Sequence, residues 1–123
     1  MKLNADPRSG QNIVTGHGAG WIAINGQRYE RSLLVRPDSI DTDWGPERTE
    51  ELNGTHLAAL STLRGNVLLL GTGNRQRFPA APMLRPLIEA GIGLEVMDTG
   101  AACRTYNVLV AEGRAVAAAL IVE

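Results

Sequence analysis

The chain has 123 residues, one cysteine and a formal net charge of −1 at pH 7. That length makes one domain with one core, and the near-neutral charge gives none of the basic field that phosphate-backbone binding needs, so nucleic acid is not an expected partner. Cys103 alone cannot form an internal disulfide, and the opening MKLNADPRSG lacks the apolar stretch of a signal peptide. The longest apolar run, Ala115 to Val122, is far below the roughly 20 residues that span a bilayer. The expectation is a cytoplasmic protein without membrane insertion.

In chain order, residues 1–12 are polar, carry Pro7 and Gly10, and predict a loosely held start ahead of a single domain over 13–123. From Ile13 the pattern is extended. Asn25-Gly26 is a hairpin signal, because both central residues of a type I′ turn need positive φ. Across that turn Ile24 should oppose Gln27, and Ile22 should oppose Tyr29. The apolar SLLV ends at Arg36-Pro37, where the missing N–H interrupts a ladder. PDSIDTDWGPE then reads as a loop. Its aspartates do not follow the calcium-binding pattern of an EF-hand from either Asp38 or Asp41, and no His, Cys or carboxylate cluster has zinc-ligand spacing, so no metal and no cofactor are expected.

GTHLAALSTLRG predicts a short helix with Thr55 as N-cap, Leu57, Leu60 and Leu63 on one face and Gly65 closing it. Val67–Leu70 is an unbroken apolar strand, suited to burial on both faces. In APMLRPLIEAG, Met83, Leu84, Leu87 and Ile88 share one arc, with Arg85 and Glu89 on the other. Pro86 fits only a first turn, so this helix should begin around Pro82 to Leu84. IGLEVM is the next strand, and TGAACRTYNVLVAEG is the longest helix, capped by Thr99 and closed by Gly113. Its apolar arc holds Leu109, Ala102, Tyr106, Val110 and Cys103, while Asn107, Arg104 and Glu112 lie outside it. RAVAAALIV ends the chain as a strand. The sum is an α/β domain: a mixed central sheet with an N-terminal β-hairpin, and helices between the C-terminal strands.

Two strands therefore end in the same phrase, Thr-Gly. If those strands are parallel neighbours, both loops leave the carboxyl edge of the sheet, where open α/β sheets bind ligands. Gly71, Gly73 and Gly100 let backbone N–H groups approach a ligand, and the helix after Thr99 adds its positive end. With Thr72, Asp98 and Thr99, and with Arg75, Arg77 and Arg104 around them, these residues make a candidate site for a carboxylate or phosphate. The plain alternative is that glycines end strands and Thr99 is an ordinary N-cap. The run is neither a Walker loop nor GxGxxG. Cys103 in the first turn of a helix is a candidate nucleophile, set against a small apolar residue at the edge of the core. His17 and His56 suit structural or solvent-facing places. Glu95, flanked by Leu94 and Val96 in a strand expected to be central, calls for an arginine partner or a tuned acid. MDTGA also resembles the Asp-Thr-Gly-Ala loop of retropepsin-like aspartic proteases, through Asp98-Thr99-Gly100, although a helical arc follows where those enzymes continue in β structure.

From Trp21 onward, and most densely in LLLGTGNRQRFP and GIGLEVMDTGAACRTYNVLVAEGRAVAAALIVE, the chain resembles the MTH-938-like family, domain of unknown function 498. Gly71, Thr72, Gly73, Arg77, Pro79, Asp98, Thr99, Ala102, Cys103, Arg104, Tyr106 and Asn107 match its motif positions. The resemblance implies a three-layer α/β fold. It also brings eukaryotic relatives that include a mitochondrial assembly factor for respiratory complex I and an adipogenesis-associated protein, and no established catalytic residue. The functional expectation is a cytoplasmic, non-enzymatic binding or assembly module that grips a protein partner or small anionic ligand at the Gly71–Arg77 and Asp98–Arg104 edge. The alternatives are a small enzyme using Cys103 or Asp98, with Arg104 or Arg77 orienting the substrate, and a purely structural domain. Open β edges make a homodimer an expected form.

Overall fold

Turn chemistry starts the fold: Asn25 and Gly26 take φ of 52° and 82°, the left-handed pair that a type I′ hairpin requires. The computed structural model describes residues 10–123, so the loose start expected for the N-terminus lies, for residues 1–9, outside the described residues. Strands β1 (Val14–Gly18), β2 (Trp21–Ile24) and β3 (Gln27–Tyr29) form an antiparallel sheet of their own. Ile22 faces Tyr29 and Ile24 faces Gln27, the register that the alternation predicts. Asn12, although inside the expected loose start, is held: its N–H donates to Pro37 C=O (2.8 Å) and its own carbonyl accepts from the Tyr106 hydroxyl (2.8 Å).

The second sheet is mixed. Strands β4 (Leu33–Arg36), β5 (Ser39–Asp41), β6 (Val67–Thr72), β7 (Leu94–Met97) and β8 (Val116–Ile121) lie in the order β5-β4-β8-β6-β7. β6 runs parallel to both β7 and β8, while β4 is antiparallel to β5 and β8. β5 falls inside the segment expected to be loop, where Pro37-Asp38 turns the chain back and Ile40 pairs with Val35. Helices α1 (Gly54–Ala58), α2 (Arg85–Glu89) and α3 (Thr99–Ala111) cover the faces.

Alternation along the central strands divides the core in two. Leu33, Val35, Leu69, Ala118 and Leu120 face Ala102, Cys103, Tyr106 and Val110 of α3, together with Ile22 and Ile24 of the small sheet. Leu68, Leu70, Ala117, Ala119 and Ile121 face Trp44, Leu57, Leu60, Leu63 and Leu87. The result is three layers, with β6 and β8 buried on both faces as an unbroken apolar run implies. Each buried leucine contributes about 1.5–3 kcal/mol.

Several local expectations are corrected. The first helix is capped by Asn53, which accepts from the Thr55 and His56 N–H groups while His56 returns a bond to the Asn53 N–H, and it stops at Ala58. Leu57 in the helix and Leu60 and Leu63 in the turns after it are buried all the same. Ile88 is 68% exposed rather than on the packed arc of α2. β7 is an edge strand, so Glu95 is exposed and needs no buried arginine.

Asn107, expected outside the packed arc, joins the layers. Its Oδ1 accepts from the Val14 N–H (2.8 Å) and its Nδ2 donates to the Val14 carbonyl (2.7 Å), so the side chain serves β1 as a neighbouring strand would. Asn107→Ala leaves both groups of a buried residue unpaired, with an expected loss of about 1–3 kcal/mol in urea unfolding. An unchanged midpoint would show that the small sheet docks without it.

Candidate functional site

The two Thr-Gly corners meet at the carboxyl end of β6 and β7, and they bond to each other. The Thr99 N–H donates to the Gly73 carbonyl (2.8 Å), and Thr99 Oγ1 accepts from the Gly73 N–H (2.8 Å) while donating to the Ile121 carbonyl (2.7 Å). One hydroxyl thus ties β6, β8 and the start of α3 together. Thr72 does the same within its own turn, its Oγ1 donating to the Arg75 carbonyl (2.7 Å) and accepting from the Arg77 N–H (3.0 Å). Gly71 lets α3 ride directly on the strand, since a Cβ there would lie 2.9 Å from Thr99 Cα and 3.2 Å from the Ala102 methyl. Gly73, at φ +80°, makes room for the Glu123 carboxylate in the place where a Cβ would stand.

Of the residues predicted for the site, Gly71, Thr72, Gly73, Asp98, Thr99 and Gly100 are brought together, but several of their donors are already matched inside the protein. Asp98, not Thr99, is the N-cap of α3, and its Oδ1 accepts from the Ala101 N–H (2.8 Å). A helix begins at once after it, which contradicts the retropepsin-like reading of Asp98-Thr99-Gly100. Arg77 faces carboxylates: Nη1 lies 3.4 Å from Glu50 and Nη2 3.7 Å from Glu123. Arg75 is exposed, and so is Arg104, whose guanidinium lies beside Gly100.

Cys103 is 1% exposed, and burial, with a smaller opposing pull from Arg104, pushes its thiol up from 9.0 to about 12. It packs as a small core residue and lacks the lowered pKa that a nucleophile needs. The protonated thiol is the form the fold favours, so its contribution to stability is whole below about pH 9 and is lost as pH rises toward 12. A disulfide reagent at pH 8 should leave the native thiol unmodified and react promptly in urea. Rapid modification of the folded chain would restore the cysteine enzyme reading.

A hollow of about 200 Å³ opens beside the corners, lined by His17, Trp21, Asn74, Asp98, Gly100 and Glu123 among others. His17, Trp21 and Glu123 carry no local signal in the sequence, because each reaches this place only through sheet order. Trp21 lies across β1, with the Arg28 guanidinium 4.7 Å over its ring. Among the described residues no His, Cys, Asp and Glu group is arranged to hold a metal ion.

A family model described as "Protein of unknown function (DUF498/DUF598)" matches residues 14–121. The chain belongs to the DUF498/DUF598 family. A relative from Xenopus tropicalis, "NADH dehydrogenase [ubiquinone] 1 alpha subcomplex assembly factor 3", is 34% identical over 98% of this chain and 66% of its own length. The chain spans between 59% and 66% of the length of the vertebrate relatives it matches. Among solved structures, a Bordetella parapertussis protein is 38% identical with a TM-score of 0.83, covering 94% of this chain and 98% of that one. A Bordetella pertussis protein described as a Mth938-like domain is 34% identical with a TM-score of 0.78, covering 98% and 92%. The family's three-layer α/β architecture is thus the one found here, as the sequence resemblance implies.

Proposed function

We propose that this chain is a non-enzymatic binding module that works as an assembly factor does, by holding a protein partner at the carboxyl rim of its mixed sheet. One observation carries the reading: the groups at that rim with the chemical character for catalysis are spent on building it. Asp98 caps a helix, Thr99 bridges three backbone segments, and Cys103 is sealed in the core. A binding surface needs that rigidity, because a preformed rim loses little conformational entropy when a partner arrives. The assembly-factor names of the vertebrate relatives support the same reading.

Anion recognition belongs to this proposal at Arg75 and Arg104, the exposed guanidinium groups of the rim, which would meet a carboxylate on the partner's own surface. The cytoplasmic address also belongs to it. Among the described residues no helix is long and apolar enough to cross a membrane. A homodimer through open strand edges is a separate proposal.

Affinity capture of the tagged full chain under mild conditions, followed by native mass spectrometry, tests the reading. A stoichiometric complex with another protein is expected. Recovery of the chain alone, or with only a small molecule bound, would overturn it, and the recovered mass also reports any self-pairing. Fractionation of the source cells should find the chain with the soluble proteins, and a membrane pellet would contradict the address.

A further inference from the structure

A second hollow, of about 180 Å³, is lined by Thr49, Glu50, Leu52, Arg77, Phe78 and Met83 among others. Two polar atoms of these residues, just behind the wall of the hollow, are unmatched. Thr49 is 7% exposed, yet its hydroxyl finds no hydrogen-bond partner among the described residues, and neither does the buried Nε of Arg77. Buried polar groups left unmatched cost free energy, and valine has the shape of threonine without that cost. Threonine at this position therefore weakens the free protein unless something supplies an acceptor.

Charge decides what kind of acceptor. The Arg77 guanidinium already lies 3.4 Å from Glu50 and 3.7 Å from Glu123. Arg48 lies 3.8 Å from the same Glu50, so two cations are already matched by two carboxylates; a third carboxylate would add an unmatched charge, whereas a carbonyl takes the donors and adds none. Phe78 supplies the apolar half of the site: it is 73% exposed and held between Arg77 and Pro79, whose ring restricts the backbone on either side. A large aromatic held in this way is the kind of anchor that protein interfaces bury.

We propose that this hollow docks an extended segment of a protein partner. A neutral carbonyl of that segment, from its main chain or an Asn or Gln side chain, takes the Thr49 hydroxyl and the Arg77 Nε–H, and an adjacent apolar side chain packs on Phe78. The inference rests on the assembly reading and names its contact. Both donors are shielded from water in the free chain, so docking needs the Arg77 side chain, 30% exposed and on a flexible stem, to swing aside, which presents its Nε and uncovers the Thr49 hydroxyl behind it as the carbonyl enters.

The test titrates the full chain with N-acetyl-leucine-N′-methylamide, a neutral probe with two carbonyls and one apolar side chain, and follows amide resonances by NMR. Saturable shifts at Thr49, Arg77 and Phe78 are expected in the millimolar range. Thr49→Val should weaken them about five-fold, the value of one hydrogen bond, while melting at or above the wild-type temperature. Phe78→Ser should weaken them independently. Sodium acetate should bind less well than the amide. The proposal is overturned by an absence of saturable shifts, as for a hollow that holds only water, or by equal affinity in Thr49→Val. A lowered Tm for that variant, which marks a structural hydroxyl, or tighter binding of acetate would overturn it as well. If Thr49→Val and Phe78→Ser chains still capture the protein complex at full yield, this contact is wrong while the assembly reading stands.

Discussion

Thr99→Val should be among the most damaging single substitutions in this chain, lowering stability by about 2–4 kcal/mol in urea unfolding. Valine keeps the shape, so little cavity forms. It leaves the Gly73 N–H and the Ile121 carbonyl, both bonded to the threonine hydroxyl at 2.8 and 2.7 Å, without partners in a site that is 8% exposed. Each such group costs roughly 1–3 kcal/mol. Thr99→Ser keeps the hydroxyl and loses one methyl, so it should cost only about 1 kcal/mol. Equal losses for the two variants would mean that packing, not the shared hydroxyl, joins the corners.

Gly73→Ala should cost a similar amount for a different reason. At φ +80° any side chain adds strain of about 1–2 kcal/mol, and the new methyl would occupy the place of the Glu123 carboxylate. Once displaced, that carboxylate no longer accepts from the Thr49 N–H (2.8 Å), a loss of roughly another 1–3 kcal/mol. Its pairing with Arg77 at 3.7 Å adds little, because the arginine is partly in solvent. With Glu123 already cut to alanine, Gly73→Ala should cost only its strain, so a double-mutant cycle should show coupling. Strict additivity would remove Glu123 from the account.

What could be read from the sequence follows the range of the interaction. The Asn25-Gly26 turn and the Ile22–Tyr29 pairing are set by neighbours in the chain, and both are found. The meeting of the Thr-Gly corners is legible because two parallel strands joined by a helix must end on the same edge. The cap of α3 is missed by one position because Asp98 and Thr99 are both good capping residues, and only the geometry of the corner gives Thr99 its other duty. Glu95 is misread because strand order is not local: β8, the last strand, enters between β4 and β6 and leaves β7 outside.

The corners themselves looked from sequence like a cradle for an anion because unbonded N–H groups were assumed there. The acceptors that claim them are the Gly73 carbonyl, the Thr99 hydroxyl and the Asp98 carboxylate, and the Thr49 N–H donates to Glu123 across 74 residues of chain. No periodicity reports that pairing. The same network sets the Glu123–Arg77 pair between the two hollows and leaves Thr49 Oγ1 and Arg77 Nε unmatched. These orphaned donors are visible only as a balance of bonds in the folded chain.

Hydrogen exchange of the captured complex, compared with the free chain, tests the central claim most directly. The Gly73 amide, already bonded to Thr99, should exchange slowly in both states. Binding should add protection to residues 74–77 and 98–104, the two corners of the rim, and the Thr49–Phe78 contact adds residues 48–52 and 78–83. Protection confined to the C-terminal half of α3 or to the small sheet, with both corners unchanged, would contradict the rim as the docking surface.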